Sequence, residues 1–556
     1  MKNLEIDYWV CSSSDIHESE YVSDYDKCIA YFTGFTGESA ILVVSQDEAN
    51  LWTDGRFFIQ GEKELKGTCI TLMKAGEKNV PTVKAFLAKR LTANAVLSWY
   101  SPFANTPLAG AFDRMLSGFD CIKKTDIDLA DICWKKRPAR PAEKILIHDE
   151  KYAGESSASK LARVRRELSK QKKGYLLVKK LDDIAWITNL RGSDIECNPV
   201  FLSFLFISKD NAILFIQEKA LSAKVKKHLR DNGFAYTDYD KFFEFVSELD
   251  KNAKIDTTII SDLKAVKSKA EITAMKNCHI RDGVYVTKFI YWLKCEIAAG
   301  KKLTELDAAA KLESLRKADK LNRGLSFPTI AAYGSNGAII HYTPTVRTNA
   351  KIKPEGFLLV DSGGQYLDGT TDITRTISVG ELTPEMKRDY TLVTVGMLRL
   401  MNARFPKNAT SVSLDAYARG PLWDFGLDYK HGTGHGVGFY NCVHEDPVRI
   451  RFKNAEKGPL FTPGMITSDE PGVYIEGKYG IRTENMILCI ADKEKDFLRF
   501  ESLTFAPLDK DAIDTAYMTD TDILLFNVYQ EAVYRNISPY LNQKEKEWLA
   551  EETMSI

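Results

Sequence analysis

Leu359-Val360-Asp361-Ser362-Gly363-Gly364-Gln365-Tyr366-Leu367-Asp368-Gly369-Thr370-Thr371-Asp372-Ile373-Thr374-Arg375 carries an apolar run into one acid and a β-branched run out past another. The Gly- and Asp-rich middle is turn chemistry, so the stretch reads as strand, tight connection and strand. Antiparallel partners share a constant index sum. Setting Asp361 opposite Asp372 centres the turn at Tyr366-Leu367, with a bulge or longer loop taking up the offset to the Asp368-Gly369 signal. Two carboxylates held this close by strand backbone need a cation or a proton to neutralise them. The first expectation is a metal.

A second stretch repeats the plan. Ser468-Asp469-Glu470-Pro471-Gly472-Val473-Tyr474-Ile475-Glu476-Gly477-Lys478-Tyr479-Gly480-Ile481-Arg482-Thr483-Glu484 is again strand, turn and strand, and pairing Glu470 with Glu484 centres the turn on Gly477. The two hairpins read as halves of one pseudo-symmetric site. Between them lie His431-Gly432-Thr433-Gly434-His435-Gly436-Val437-Gly438 and Val443-His444-Glu445. These glycines lack the strand-to-helix context of a dinucleotide fingerprint; they let backbone approach a metal or substrate closely. One imidazole and four carboxylates form an oxygen-rich set able to hold two divalent ions ~3.5–4 Å apart. Such ions bring a shared water towards hydroxide at neutral pH and stabilise the oxyanion of amide addition. Taken singly, each acid or histidine is more often structural; their joint occurrence on two matched hairpins argues otherwise. The sequence has no H-E-x-x-H and no G-x-S-x-G, and Cys442 with His444 is a poor nucleophile–base pair at two residues' separation.

The rest of the chain sets the context. At 556 residues it has material for about three to four domains. Lys+Arg and Asp+Glu both total 76, so no net field recruits nucleic acid or an anionic membrane. The start, Met1-Lys2-Asn3-Leu4-Glu5-Ile6-Asp7, carries acids where a leader would be apolar, and no run approaches a membrane span. Ten scattered cysteines without a C-x-x-C pair suit a reducing compartment. A cytoplasmic protein is expected.

The organisation reads as α/β (α+β). An α/β domain spans 1–136, ended by the linker Lys135-Lys136-Arg137-Pro138-Ala139-Arg140-Pro141. A similar unit spans 137–262, and the largest domain spans 263–556. Expected elements include helices over 80–91, 158–171, 263–297, 303–318 and 384–405, with Ser268 and Glu271 spaced as a capping box. Strands are expected at 174–178, 201–207, 212–216, 326–331, 334–341 and 503–505, and tail helices at 521–534 and 543–552. The Asn189-Leu190-Arg191-Gly192-Ser193-Asp194 cluster reads as a structural turn or, failing that, as a loop reaching a neighbouring active site.

The ordered set Asp361, Asp372, His435, Glu470 and Glu484, with separations of 11 and 14 inside the hairpins, resembles the pita-bread metallopeptidases. The phrases DGTTDITRT, HGTGHGVG, DEPGVY and GIRTEN carry that likeness. LWTDGRFF, NLRGSDIECNPVF, SNGAIIHY and ESLTFAPLD extend it nearly end to end, to the long three-domain cytosolic Xaa-Pro aminopeptidase (aminopeptidase P) branch. The resemblance implies two creatinase-like N-terminal α/β domains, a C-terminal pita-bread catalytic domain, a homodimer built partly through the tail, and two divalent ions. Mn2+ is the first choice of ion, with Zn2+ or Co2+ as alternatives. It also implies hydrolysis of the N-terminal Xaa-Pro bond of peptides through a dimetal-bridged hydroxide. On matching positions Asp372 and Glu484 bridge the ions, Asp361 chelates one, and His435 with Glu470 completes the other. Glu470 is the general base or acid. His341 and His444 contact substrate and handle protons, His431 lies near the substrate, and Arg482 orients the ligands. A prolidase of the same fold and a non-catalytic peptide-binding relative are the alternatives. In the first domain Gly34-Phe35-Thr36-Gly37-Glu38-Ser39-Ala40 departs from the family's usual Gly-Ser-Ala-Gly run at Glu38.

Overall fold

A computed structural model describes residues 1–171, 173–249, 258–452 and 460–556. It divides into two compact units, 1–147 with 155–260, and 148–154 with 261–556.

The first unit holds a six-stranded and a four-stranded sheet. In the larger, Trp9–Ser12 pairs antiparallel with Ile41–Val44, which pairs with the strand Ala49–Thr53; the outer strands Ile70–Lys74, Val96–Ser98 and Ile122–Lys124 join in parallel. Alternate residues of these strands feed two apolar layers, one around Phe35, Leu42, Leu51 and Phe57, the other around Val10, Trp52, Leu97 and Trp99. Burial on both faces explains why the strands read as apolar runs rather than clean alternation. The smaller sheet contains Tyr175–Val178, Ser203–Ser208 and Ala212–Ile216. The helix Ser157–Lys170 is capped by Ser156, close to expectation. Ile184–Ile187 lies in a helix, Leu181–Thr188, whose C-cap Asn189 adopts φ 49°. The polar cluster after it is not the expected simple turn: Leu190–Arg191 is a short strand paired with Leu146–Ile147, and Asp194 beyond it accepts the Glu143 and Leu202 amides at 2.7 and 2.8 Å.

The expected long helix is two, the second of them wholly in the second unit. Ile259–Ala265 is followed by Lys269–Ala298, whose N-cap Ser268 and Glu271 form the capping box. Its 30 residues span about 45 Å, and Met275, Cys278, Val286, Phe289, Ile290 and Leu293 repeat at helical spacing as its buried stripe. The helices Glu305–Lys317, Pro384–Met401, Asp520–Ile537 and Gln543–Glu552 fall where expected. Two expected strands are absent. Gly334–Ala338 is a 3-10 helix, because the backbone of Gly337 lies against Gly480 with no room for side chains. Residues 503–505 lie outside any strand: the neighbouring strand ends at Ser502, Leu503 N–H still donates to the Met486 carbonyl at 2.8 Å, and Phe505 turns its carbonyl onto Gly283 of the long helix.

The site is carried by two antiparallel systems. Phe357–Ser362 pairs with Ile373–Ser378, and Gly364–Tyr366 with Gly369–Thr370. Ile466–Asp469 pairs with Asn485–Ala491, and Gly472–Ile475 with Tyr479–Arg482. Behind the first, Arg316 makes a two-pronged ion pair with Asp282 at 2.8 and 2.9 Å, Tyr366 donates to the same carboxylate at 2.6 Å, and Arg316 reaches the Ser362 carbonyl at 3.3 Å. This buried network braces the strand that ends in Asp361 and Ser362.

Candidate metal centre

The register of the first hairpin corrects the expected pairing. Asp361 lies opposite Thr374, and Tyr366 opposite Gly369, so one index sum holds throughout and the turn is Leu367-Asp368. No bulge is needed. Asp372 sits diagonally from Asp361, close enough for its field to disfavour the charge on Asp361. The second hairpin keeps the expected sum: Gly472 faces Arg482, Asp469 faces Asn485, and Gly477 turns the chain with φ 75°. Glu470 and Glu484 stand at matching positions between these paired segments. Their amides go elsewhere, Glu470 N–H to the Thr433 carbonyl at 2.8 Å and Glu484 N–H to the Thr374 carbonyl at 3.1 Å. The second contact, with Thr374 Oγ1 donating to Glu484 Oε2 at 2.8 Å, ties the two hairpins together.

Ligand atoms of Asp372, His435 and Glu484 all lie within 4.8 Å of one another. His435 Nε2 is 3.5 Å from Asp372 Oδ2 and 3.4 Å from Glu470 Oε1. Its Nδ1 donates to the Gly436 carbonyl at 3.0 Å, which leaves Nε2 as the face turned to the acids. Asp361 flanks this group, with Oδ2 accepting from Arg482 Nη2 at 2.6 Å and Oδ1 buried without a hydrogen-bond partner. Glu484 Oε1 is likewise buried and unpartnered.

The electrostatics describe anions in search of a cation. Burial, reinforced by Asp372, Glu470 and Asp361, pushes the Glu484 carboxyl well above its ordinary range. Burial also raises Asp361 against the opposing charge of Arg482, and raises Glu470 against that of His435. Burial disfavours a charged His435, yet the hydrogen bond to Asp372 and the field of Glu470 prevail and carry it up to about 9. Two carboxylate oxygens with no donor, in a cluster where burial drives Asp361, Glu470 and Glu484 towards protonation, fit divalent ions.

Comparison with known proteins agrees along the whole length. Residues 273–491 match the family model for metallopeptidase family M24, and 496–556 that for the C-terminal region of peptidase M24. Residues 1–99 and 136–289 match two creatinase/prolidase N-terminal domain models. The chain is 38% identical over 609 residues to a protein of Paracoccidioides brasiliensis named probable Xaa-Pro aminopeptidase P, covering 100% of this chain and 97% of the relative. The chain belongs to the Xaa-Pro aminopeptidase P family. A family protein of Coprinopsis cinerea with the same name is 36% identical over 607 residues, with coverage of 100% and 97%. Among solved structures, the X-prolyl aminopeptidase of Caenorhabditis elegans, described as a cytosolic enzyme with a di-nuclear active site, superposes with a TM-score of 0.95. It shares 32% identity over 99% of this chain and 95% of that one. The family architecture, creatinase-like N-terminal α/β parts followed by a pita-bread domain, is therefore the architecture of this chain.

Of the three histidines expected near the family's substrate, one lies directly against a candidate ligand and the other two border the Arg482 network. The His444 ring meets His435 edge to face at 4.2 Å. His431 Nε2 lies 2.8 Å from the Tyr474 hydroxyl and Nδ1 2.7 Å from the Gly432 carbonyl. His341 follows Ile340, whose carbonyl accepts from Arg482 Nη2 at 3.3 Å. Tyr474, Ser468 and Thr374 escaped the sequence reading. Tyr474 accepts from Arg482 Nη1 at 2.7 Å. Ser468 Oγ accepts the His435 amide at 2.9 Å and donates to Glu470 Oε1 at 3.2 Å. The second hairpin's register would have found Tyr474, since it puts that residue diagonally beside Arg482.

Proposed function

We propose that this chain is a metal-dependent aminopeptidase that hydrolyses the N-terminal Xaa-Pro bond of peptides. The observation that carries the reading is the convergence of Asp361, Asp372, His435, Glu470 and Glu484 within a chain that matches Xaa-Pro aminopeptidases from end to end. In this reading Asp372 and Glu484 would be shared by two divalent ions, Asp361 would help to hold one, and His435 with Glu470 would help to hold the other. Mn2+ is the ion assigned, because four carboxylates and one imidazole suit a hard divalent cation. When bound, the pair supplies an acidified water and a clamp for the negative charge of amide addition.

The residues then divide the work. Glu470, hydrogen-bonded to Ser468 and raised in pKa by burial, takes a proton from the attacking water and returns it to the prolyl nitrogen. His341 and His444 contact the substrate and the oxygen on which charge develops, and His431 borders the substrate. Arg482 holds Asp361 in its ligating orientation.

The domain division 1–136, 137–262 and 263–556, a homodimer and a cytoplasmic location belong to the same proposal. No helix among the described residues is long and apolar enough to cross a membrane. Leu524 and Val528, exposed by 60% and 53% one turn apart on a tail helix, offer an apolar face for a second copy.

The test is a peptide panel. With Mn2+, Arg-Pro-Pro should lose its first residue while a peptide without proline stays intact. Cleavage of Xaa-Pro dipeptides alone would mean a prolidase instead, and no metal-dependent cleavage would mean a peptide-binding relative.

A further inference from the structure

The glycine-rich segment that presents His431 and His435 is gripped from behind by one buried arginine. Arg419 lies near the end of the helix Ser411–Trp423 and is 1% exposed. Its Nε donates to Asp415 Oδ2 at 2.6 Å, one turn back on the same helix. Nη1 donates to Asp428 Oδ1 at 2.6 Å and to the Tyr429 carbonyl at 2.8 Å, and Nη2 to the His431 carbonyl at 2.7 Å. The guanidinium carbon sits 3.7 Å over the Tyr429 ring. Asp415 also accepts the Thr433 hydroxyl, which is hydrogen-bonded to that of Tyr429. One guanidinium–carboxylate pair thus takes hold of residues 428, 429, 431 and 433.

The opposite side of the same six residues faces the centre. Nδ1 of His431 must donate to the Gly432 carbonyl, because a carbonyl oxygen only accepts. Burial and the charge of Arg482 keep the ring neutral, so Nε2 accepts from Tyr474, whose oxygen accepts from Arg482. A directed relay runs from Arg482 through Tyr474 to His431. Two residues on, the Thr433 carbonyl receives the amide of Glu470. The backbone carbonyls of 429 and 431 are clamped on one face while His431 and the Thr433 carbonyl work on the other.

We propose that Arg419 is a positioning residue: its fork fixes the 428–433 backbone so that His431 meets Tyr474 and Thr433 meets Glu470. The proposal rests on the reading of this centre as an Xaa-Pro aminopeptidase. Lysine cannot replace the fork, since a single ammonium cannot address Asp415, Asp428 and two carbonyls in one plane.

The experiment is carbethoxylation of the full-length, metal-loaded protein with diethyl pyrocarbonate, read residue by residue by peptide mass, in wild type, Arg419→Lys and Asp415→Asn. His431 should react about tenfold faster in the variants while His341 and His444 keep their wild-type rates. A companion cycle uses Arg-Pro-Pro. Arg419→Lys should raise KM about tenfold with a smaller change in kcat, and adding His431→Ala should cost no more than about twofold beyond the worse single variant. Unchanged labelling, equal acceleration at all three histidines, or multiplying kinetic effects would overturn the proposal, because a plain structural brace gives those results. Asp415→Asn, nearly isosteric, carries the test if Arg419→Lys does not fold. Wild type that cleaves no Xaa-Pro peptide would sink the functional reading and leave the labelling result standing.

Discussion

Arg482 Nη2 lies 2.6 Å from Asp361 Oδ2, in a pair that is almost wholly buried. The same guanidinium reaches Tyr474 and the Ile340 carbonyl, so it joins a candidate ligand to the segment before His341 and to the His431 relay. Removing it strands a buried carboxylate. Arg482→Met should destabilise the metal-free protein by about 3 kcal/mol and weaken metal binding roughly 10–100-fold, measured by denaturant unfolding and calorimetric titration. Affinity within about twofold of wild type would show that Arg482 does not orient Asp361.

Glu470→Gln keeps the shape and one oxygen ligand but removes the proton acceptor. We expect kcat for Arg-Pro-Pro to fall by at least about 100-fold with KM little changed. Normal turnover would contradict the role given to this carboxylate.

Gly480 and Gly337 touch backbone to backbone, and a Cβ on Gly480 would lie 1.7 Å from the Gly337 carbonyl oxygen. No rotamer change relieves a clash with backbone. Gly480→Ala should therefore cost about 1–3 kcal/mol and displace the 334–341 segment, lowering kcat/KM as well as stability. Unfolding at the wild-type midpoint would refute the close approach.

Lys294 is shared by two carboxylates, Glu552 at 2.7 Å and Asp509 at 3.4 Å. Burial raises the Glu552 carboxyl to about 7, with Lys294 opposing the shift and Asp509 adding to it. A carboxyl whose folded pKa lies above its unfolded value binds more protons in the folded state. Its contribution is thus full below about 4.5 and is lost as pH rises through about 7. The melting temperature of Glu552→Gln relative to wild type should climb between pH 5 and pH 8. A difference that is flat or shrinks over that interval would show the group is not held protonated.

Much of the centre was legible because hairpin arithmetic is rigid. The sum that pairs Glu470 with Glu484 also fixes Gly472 against Arg482, and Gly477 falls at its midpoint with the positive φ that glycine adopts freely. In the first hairpin the same arithmetic went astray by two positions, since facing the two acids directly outweighed the Asp368-Gly369 turn signal, and the observed turn lies beside that signal. Residues 334–341 read as a strand from their apolar run, but Gly337 is pressed against Gly480, a contact made 143 positions away in sequence. Tyr474, Ser468 and Arg419 were silent for a related reason. A tyrosine in a strand, a serine before an acid and an arginine in a helix are ordinary locally, and only the packing of distant elements turns them on the centre.

The central claim is that this centre binds two ions that share Asp372 and Glu484. Calorimetric titration of Mn2+ into chelator-stripped protein, for wild type and Glu484→Ala, tests it most directly. The account predicts two ions per chain for wild type and loss of the paired binding in the variant; a single ion in wild type, or two ions undisturbed in Glu484→Ala, would contradict it.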